Sequence, residues 1–395
     1  ATSAHVVVLG SDGEVFSWGR NEAGQLGHGD QITRPGPTRV SALSGSKVIG
    51  ASTGKAHTIF LTEGHDMLGC GACKQGAVGN GYNKKAEHQT KPAPISVGAK
   101  FTAVASGTNF NLAIDTDGDV WSWGWSEYGV LGNGSDGQHN LTDGAFKISY
   151  EAEATPKRVS KLNGLKSVHI ACGQSHCASI SGEGIVYTWG NGGYGRLGHK
   201  NQDDVWTPKP LAEYLRARFI TCGTSHTTAI GWSVLSNGKV CLGSPSVFMW
   251  GKTRSATQNA WMYPKQEDEL RGWTVHALDT GATHNVVHAD SSTISWGSAC
   301  LSGELGFGEG GKKSSANPAK VDALEGISVA HVACGPANTF LLVESSPAVS
   351  KLPEWTPGAP KEEEEATASS STKPAGKGKR VAEPAGGAKA KKGKK

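Results

Sequence analysis

Short apolar runs recur along the chain, each closed by a glycine: Val15-Phe16-Ser17-Trp18-Gly19, Leu68-Gly69-Cys70-Gly71, Val120-Trp121-Ser122-Trp123-Gly124, Val186-Tyr187-Thr188-Trp189-Gly190, Phe248-Met249-Trp250-Gly251 and Ile294-Ser295-Trp296-Gly297. Large apolar residues alternate with small or polar ones, a period of two that predicts half-buried strands rather than helices. A turn rich in glycine follows most of these runs, as in Gly129-Val130-Leu131-Gly132. Then comes a proline that opens a further apolar strand: Pro37, Pro92, Pro156, Pro208 and Pro318 each stand three residues before an aliphatic side chain. Proline donates nothing to a ladder, so these strands are predicted at sheet edges. The unit closes with Gly-x-x-His or a relative and another short apolar strand, at Gly54/His57, Gly107/Phe110, Gly173/His176, Gly223/His226, Gly281/His284 and Gly335/Asn338.

The closing glycines lie 46 to 66 residues apart. That period is too long for a helix-pair repeat and suits a four-stranded blade. The expected fold is all-β, a seven-bladed β-propeller of four-stranded antiparallel blades, with the tryptophans packed between neighbours. The count of seven comes from His5-Val6-Val7-Val8-Leu9, which repeats the His-strand element, so that the pattern starts and ends on the same kind of element. On this reading one outer strand pair precedes Ala1, and the two ends of the chain share the last blade. Residues 1–345 make up the propeller, and 346–395 form a disordered tail, acidic and then basic.

Composition agrees with this picture and adds one feature. Among 395 residues, 55 are glycine and 12 tryptophan, an excess that the repeat explains. No apolar run is long enough to cross a membrane, and no membrane partner is expected. Net charge is +4, yet the segment from Lys373 to Lys395 holds nine basic residues against Glu383 alone, a charge of +8, so the preceding body is mildly acidic. Lys377, Lys379, Arg380, Lys389, Lys391, Lys392, Lys394 and Lys395 read as a nuclear-import signal or a polyanion-binding arm. Cys172, Cys222 and Cys334 occupy one repeat-locked position, the behaviour of small buried hydrophobes rather than of a disulfide framework.

Three motifs invite chemistry. Gly190-x-Gly192-Gly193-x-Gly195 matches a dinucleotide fingerprint, but no helix opens there and the same glycine spacing recurs in other repeats. Cys70-x-x-Cys73 has no second ligand pair. His57, His176, His226 and His284 recur because the repeat recurs, and each ring is expected to bond a neighbouring backbone group. No nucleophile–base pair and no paired carboxylates stand out. We therefore expect no cofactor, no metal, no catalytic residue and no small-molecule substrate. Two interruptions of the period are candidate binding loops: the insertion after Gly134, with Asp136, Glu151 and Glu153, and the degenerate repeat around Arg254.

With WSWGxxxxGxLGxG, PxxV and ACGxxH in series, residues 1–343 resemble the regulator-of-chromosome-condensation repeat family. ISYEAEATPKRV after the insertion, GGYGRLGH from Gly192, MYPK from Met262 and KLPEW from Lys351 resemble the branch of its second member. The resemblance implies a propeller scaffold, not an enzyme in the ordinary sense. It implies binding to small GTPases of the Rac, Ral or Arf type, with guanine-nucleotide exchange as the associated activity. It also implies association with chromatin, centromeres or microtubules in cell division, in nucleus and cytoplasm and on mitotic chromosomes or spindle. His176, His226 and His284 would then face the partner. In the founding member, an exchange factor for Ran, an Asp and a His on the Gly-x-x-His turns are tied to exchange. Here the residue before each His or its substitute is Ala56, Asn109, Ser175, Ser225, Thr283 or Ala337, and none is acidic. The alternative reading is a chromatin- or tubulin-binding adaptor with no GTPase role.

Overall fold

The computed structural model describes residues 5–81, 87–140, 148–241, 243–252, 260–308 and 310–354. Strands follow one another around a ring as antiparallel sheets, and the first strands of successive sheets lie side by side. The second sheet shows the order: Val48–Thr53 innermost, then His57–Thr62, then Met67–Ala72, with His88–Ile95 at the outer edge. The proline strands, such as Arg34–Arg39, Val205–Pro210 and Ser315–Lys320, all take that outer edge, where a missing N–H breaks no ladder.

The expectation of seven four-stranded blades does not hold. Six sheets are blades. Five have four strands, and the first has three: His5–Leu9, Val15–Gly19 and Arg34–Arg39. The last unit, Val329–Gly335 with Asn338–Val343, is only a two-stranded hairpin. The physical reason is that an outer half-blade needs a Trp-Gly strand and a proline strand, and the sequence holds six such pairs. Counting Gly-x-x-His elements overcounts, because that element builds only an inner half. The hairpin still meets the first blade, where Phe340 packs edge-on against Trp18 with ring centroids 6.0 Å apart.

Each Trp-Gly strand pairs with its proline strand through a break in register. The breaks fall between Ser17 and Gly19, Gly69 and Gly71, Ser122 and Gly124, Thr188 and Gly190, Met249 and Gly251, and Ser295 and Gly297. The tryptophan, or Cys70 in the second blade, stands opposite three residues of the proline strand, so it is the edge strand that bulges. Strand alternation puts the tryptophan side chain on the sheet face that meets the neighbouring blade. Trp123, Trp189, Trp250 and Trp296 are accordingly buried, each beside residues of a neighbouring blade. Trp189, for example, packs among Phe110, Leu112 and Ile114 of the preceding blade. The glycine that follows must turn the chain sharply: Gly124 has φ 108°, and a Cβ there would stand 2.5 Å from the Asn109 carbonyl.

A second set of glycines forms the axle. A Cβ on Gly54 would lie 2.7 Å from the Gly107 carbonyl, and one on Gly223 would lie 2.7 Å from the Gly281 carbonyl and 2.6 Å from its own His226 ring. Successive turns therefore touch backbone to backbone around the ring centre. Gly223→Ala should destabilise the protein by about 1–3 kcal/mol, since carbonyls cannot swing aside as side-chain tips can. Gly243→Ala, with nothing near its added methyl, should leave stability unchanged. Urea unfolding of the two variants measures the contrast.

Candidate functional site: the mouth of the ring

The Gly-x-x-His turns gather at one end of the ring. There Lys55 N–H donates to Thr108 O at 2.9 Å, Thr108 Oγ1 to Gln174 O at 2.8 Å, and Thr224 N–H to Ala282 O at 3.1 Å. Behind these turns each histidine reaches the next blade. Thr227 Oγ1 donates to the carbonyl of Arg196 at 2.9 Å, so its oxygen accepts from His176 Nε2–H at 2.8 Å. His5 with Thr58 (2.8 Å) and His284 with Thr339 (3.0 Å) follow the same logic, the threonines donating to Gln25 O and Glu304 O. His57 Nε2–H donates to Asn111 Oδ1 at 2.8 Å while Asn111 Nδ2 donates to Ala77 O at 2.8 Å, and His226 donates to Asn285 Oδ1 at 3.2 Å. These partners assign every ring the Nε2–H tautomer. The expected backbone partner is corrected: the residue after the next repeat's histidine, or after Phe110 or Asn338 in its place, offers its side chain, and at every tie but His226–Asn285 a backbone carbonyl stands one bond further on.

His176, His226 and His284 are thus buried ties between blades and present no ring to a partner. The turn residues before them, Ser175, Ser225 and Thr283, are what the wall shows at the mouth. Between the third, fourth and fifth blades these turns border a cleft of about 400 Å³, lined among others by Asn109, Trp125, Glu127, Asn191, Arg196 and Ser225. The sequence reading passed over Arg196, because GRLGH looked like one more copy of the repeat. The signal was its type: the same position holds Gln25, Ala77 and Val130 elsewhere. Tyr128 and Tyr194 flank the cleft at φ 64° and 61°, a region costly for a bulky residue.

The insertion after Gly134 folds back beside this cleft. Gln138–Asn140 pairs with Ile148–Tyr150, and the Tyr150 ring meets Trp125 edge-on at 6.0 Å. The single Ser126 Oγ–H is shared between the carbonyls of Glu151 (2.7 Å) and Asp136 (3.0 Å), so both acids anchor the hairpin through backbone. Glu153 stands apart, paired with Lys157 at 2.5 Å. Arg254 and the tail lysines and arginine from Lys377 to Lys395 lie outside the described residues. A larger depression, about 830 Å³, sits at the opposite end of the second blade. Its charges are already matched, Lys47 with Glu63 at 2.5 Å and Lys100 with Asp66 at 2.8 Å, so it offers a partner less than the mouth does. Among the described residues no group of three His, Cys, Asp or Glu side chains is placed to hold a metal.

A model of the regulator of chromosome condensation (RCC1) repeat matches residues 12–61, 117–180 and 183–230, and a second of the same description matches 101–130. The chain is 33% identical over 379 residues to Protein RCC2 of Homo sapiens, a match spanning 90% of this chain and 69% of that protein. The structure of human WBSCR16 superposes with a TM-score of 0.70 at 20% identity, covering 87% of this chain and 85% of the other. Prp20p from Saccharomyces cerevisiae, studied for its binding to Gsp1p and histones, gives a TM-score of 0.66 at 19% identity and covers 89% and 83%. At these identities the two structures speak to the fold alone.

Burial holds the tie histidines neutral. It lowers His57 and His226 from the ordinary 6.5 to about 4, and His5 to about 3. Above about pH 7.5 the folded and unfolded chains bind the same protons at these sites, and stability is unaffected. As pH falls from 6.5 towards 4 the unfolded chain takes up protons that the folded ring refuses. Each histidine then removes about 1.4 kcal/mol per pH unit. Melting temperature should be level above about pH 7.5 and fall steeply between pH 6.5 and 4, and His57→Gln should shave one proton from that slope. A melting temperature constant from pH 7 to 4.5 would contradict the assignment.

Proposed function

The chain belongs to the regulator of chromosome condensation repeat family, and from that premise we propose that it is a propeller scaffold whose ring mouth binds a small GTPase. The observation that carries this reading is the cleft of about 400 Å³ bordered by the exposed sides of three successive Gly-x-x-His turns, with an inserted hairpin anchored at its rim. Neutral turn residues, Asn109, Ser175, Ser225 and Thr283, stand where exchange on Ran would want a carboxylate. This supports binding to a Rac-, Ral- or Arf-type GTPase, with exchange on that partner following only if the mouth holds the nucleotide-free form more tightly than the loaded one. The basic tail supports a second attachment, to chromatin or microtubules in nucleus and spindle.

Pull-down and nucleotide-release assays against a panel of Rac, Ral, Arf and Ran GTPases test the first part. We expect capture of at least one Rac-, Ral- or Arf-type member, more strongly when nucleotide-free; capture of none would end the reading. Removing residues 373–395 should abolish salt-sensitive binding to DNA or tubulin while leaving GTPase capture intact. Loss of GTPase capture on that deletion would instead make the tail, not the mouth, the binding element.

A further inference from the structure

Arg196 is 7% exposed, yet no carboxylate pairs with it among the described residues. Its Nε–H donates to Gly193 O at 2.8 Å, and Nη1 donates to Ser175 Oγ at 3.0 Å and Thr224 O at 2.9 Å. All three acceptors are neutral. The two N–H groups of Nη2 make no hydrogen bond to a described residue, and the side chain lines the cleft. A buried cation held only by neutral acceptors is costly to keep, and a carboxylate in reach would recover much of that cost. Two features sharpen the site. The Tyr194 ring, held at its unusual φ, stands 5.8 Å from the Arg196 guanidinium and 5.3 Å from Lys252 Nζ, so two cations share one ring. The six turns of the mouth contribute Lys55 and no carboxylate. Two acids approach from other elements: Glu127 lines the cleft, and Asp204 accepts from Gly192 N–H at 2.8 Å. Neither reaches the free edge of the guanidinium.

We propose that the cleft is a receptor for an aspartate or glutamate side chain of the bound protein, with Arg196 Nη2 as the donor and Lys252 as the second cation. The inference rests on the reading of the mouth as a GTPase-binding face and adds the charge of the partner's contact: an acidic loop enters this cleft. The surrounding Asn109, Asn191 and Ser225 side chains supply polar groups for the loop backbone.

The test uses the full chain and whichever nucleotide-free GTPase of the panel it captures. Affinity is measured at low and high salt for the wild type, Lys252→Gln, Arg196→Gln and Arg196→Lys. Lys252→Gln leaves every Arg196 hydrogen bond in place and so guards against a folding defect. We expect Lys252→Gln and Arg196→Gln each to weaken binding about tenfold and to flatten its salt dependence, with Arg196→Lys between wild type and Arg196→Gln. Alanine replacement of the GTPase's Asp and Glu residues in turn should find one whose loss adds nothing once Arg196→Gln is present. If the wild type captures a GTPase and both Gln variants hold it as tightly with the same salt slope, the receptor assignment falls while the binding face stands. Displacement of the GTPase from the wild type, but not from the variants, by millimolar inorganic phosphate would make the site a phosphate receptor and also overturn the proposal. Capture of no GTPase removes both readings together.

Discussion

Everything in this ring depends on how one blade is tied to the next. Antiparallel ladders hold each sheet together but stop at its edges, so between blades the ring otherwise has apolar packing and scattered turn-to-turn hydrogen bonds such as Lys55 N–H to Thr108 O. At four of the five described ties, all but His226–Asn285, there is a two-step polar relay through the gap: imidazole Nε2–H to a Thr or Asn side chain of the next blade, and that side chain to the carbonyl of residue x in a Gly-x-Leu-Gly turn or its variant. The relay is directional: Thr227 accepts and donates at its one hydroxyl, and Asn111 accepts at Oδ1 and donates from Nδ2. Directionality fixes rotation of a blade about its neighbour, which hydrophobic contact does not. The tryptophan reinforces the same point. Trp189 Nε1–H donates at 2.8 Å to the Val130 carbonyl, so that one carbonyl anchors the next blade's indole while the ring fills the gap.

This arrangement separates structure from recognition. At position x of that turn the carbonyl belongs to the relay, but the side chain is spare. Gln25, Ala77, Val130, Arg196 and Glu304 all occupy it without disturbing the fold. The face of the ring can therefore change charge blade by blade. Arg196 shows the consequence: its carbonyl holds Thr227, while its guanidinium turns to the mouth and gathers Gly193, Ser175 and Thr224 around it. The insertion follows the same rule. It leaves the third blade's four strands intact and attaches to the rim through Ser126 and Trp125.

The amino-acid sequence by itself determined the strand type, the repeat, the edge position of Pro92 and Pro208, and the burial of Trp123 and Trp189 between blades. These follow from local properties: period-two patterning, a missing N–H, and a side chain too large and apolar to leave in water. It also marked the histidines as architectural. Tertiary structure alone decided the rest. The number of blades depended on whether the Val329–Val343 hairpin acquires an outer half, a question of pairing between distant segments. The histidines' acceptors, Thr58, Asn111 and Thr227, lie over 50 residues away, and nothing in a Gly-x-x-His turn says which atom will face it. Arg196 was legible as a repeat position but not as a site, because its neighbours Ser175 and Thr224 come from other turns, brought within 3.0 Å only when the ring closes.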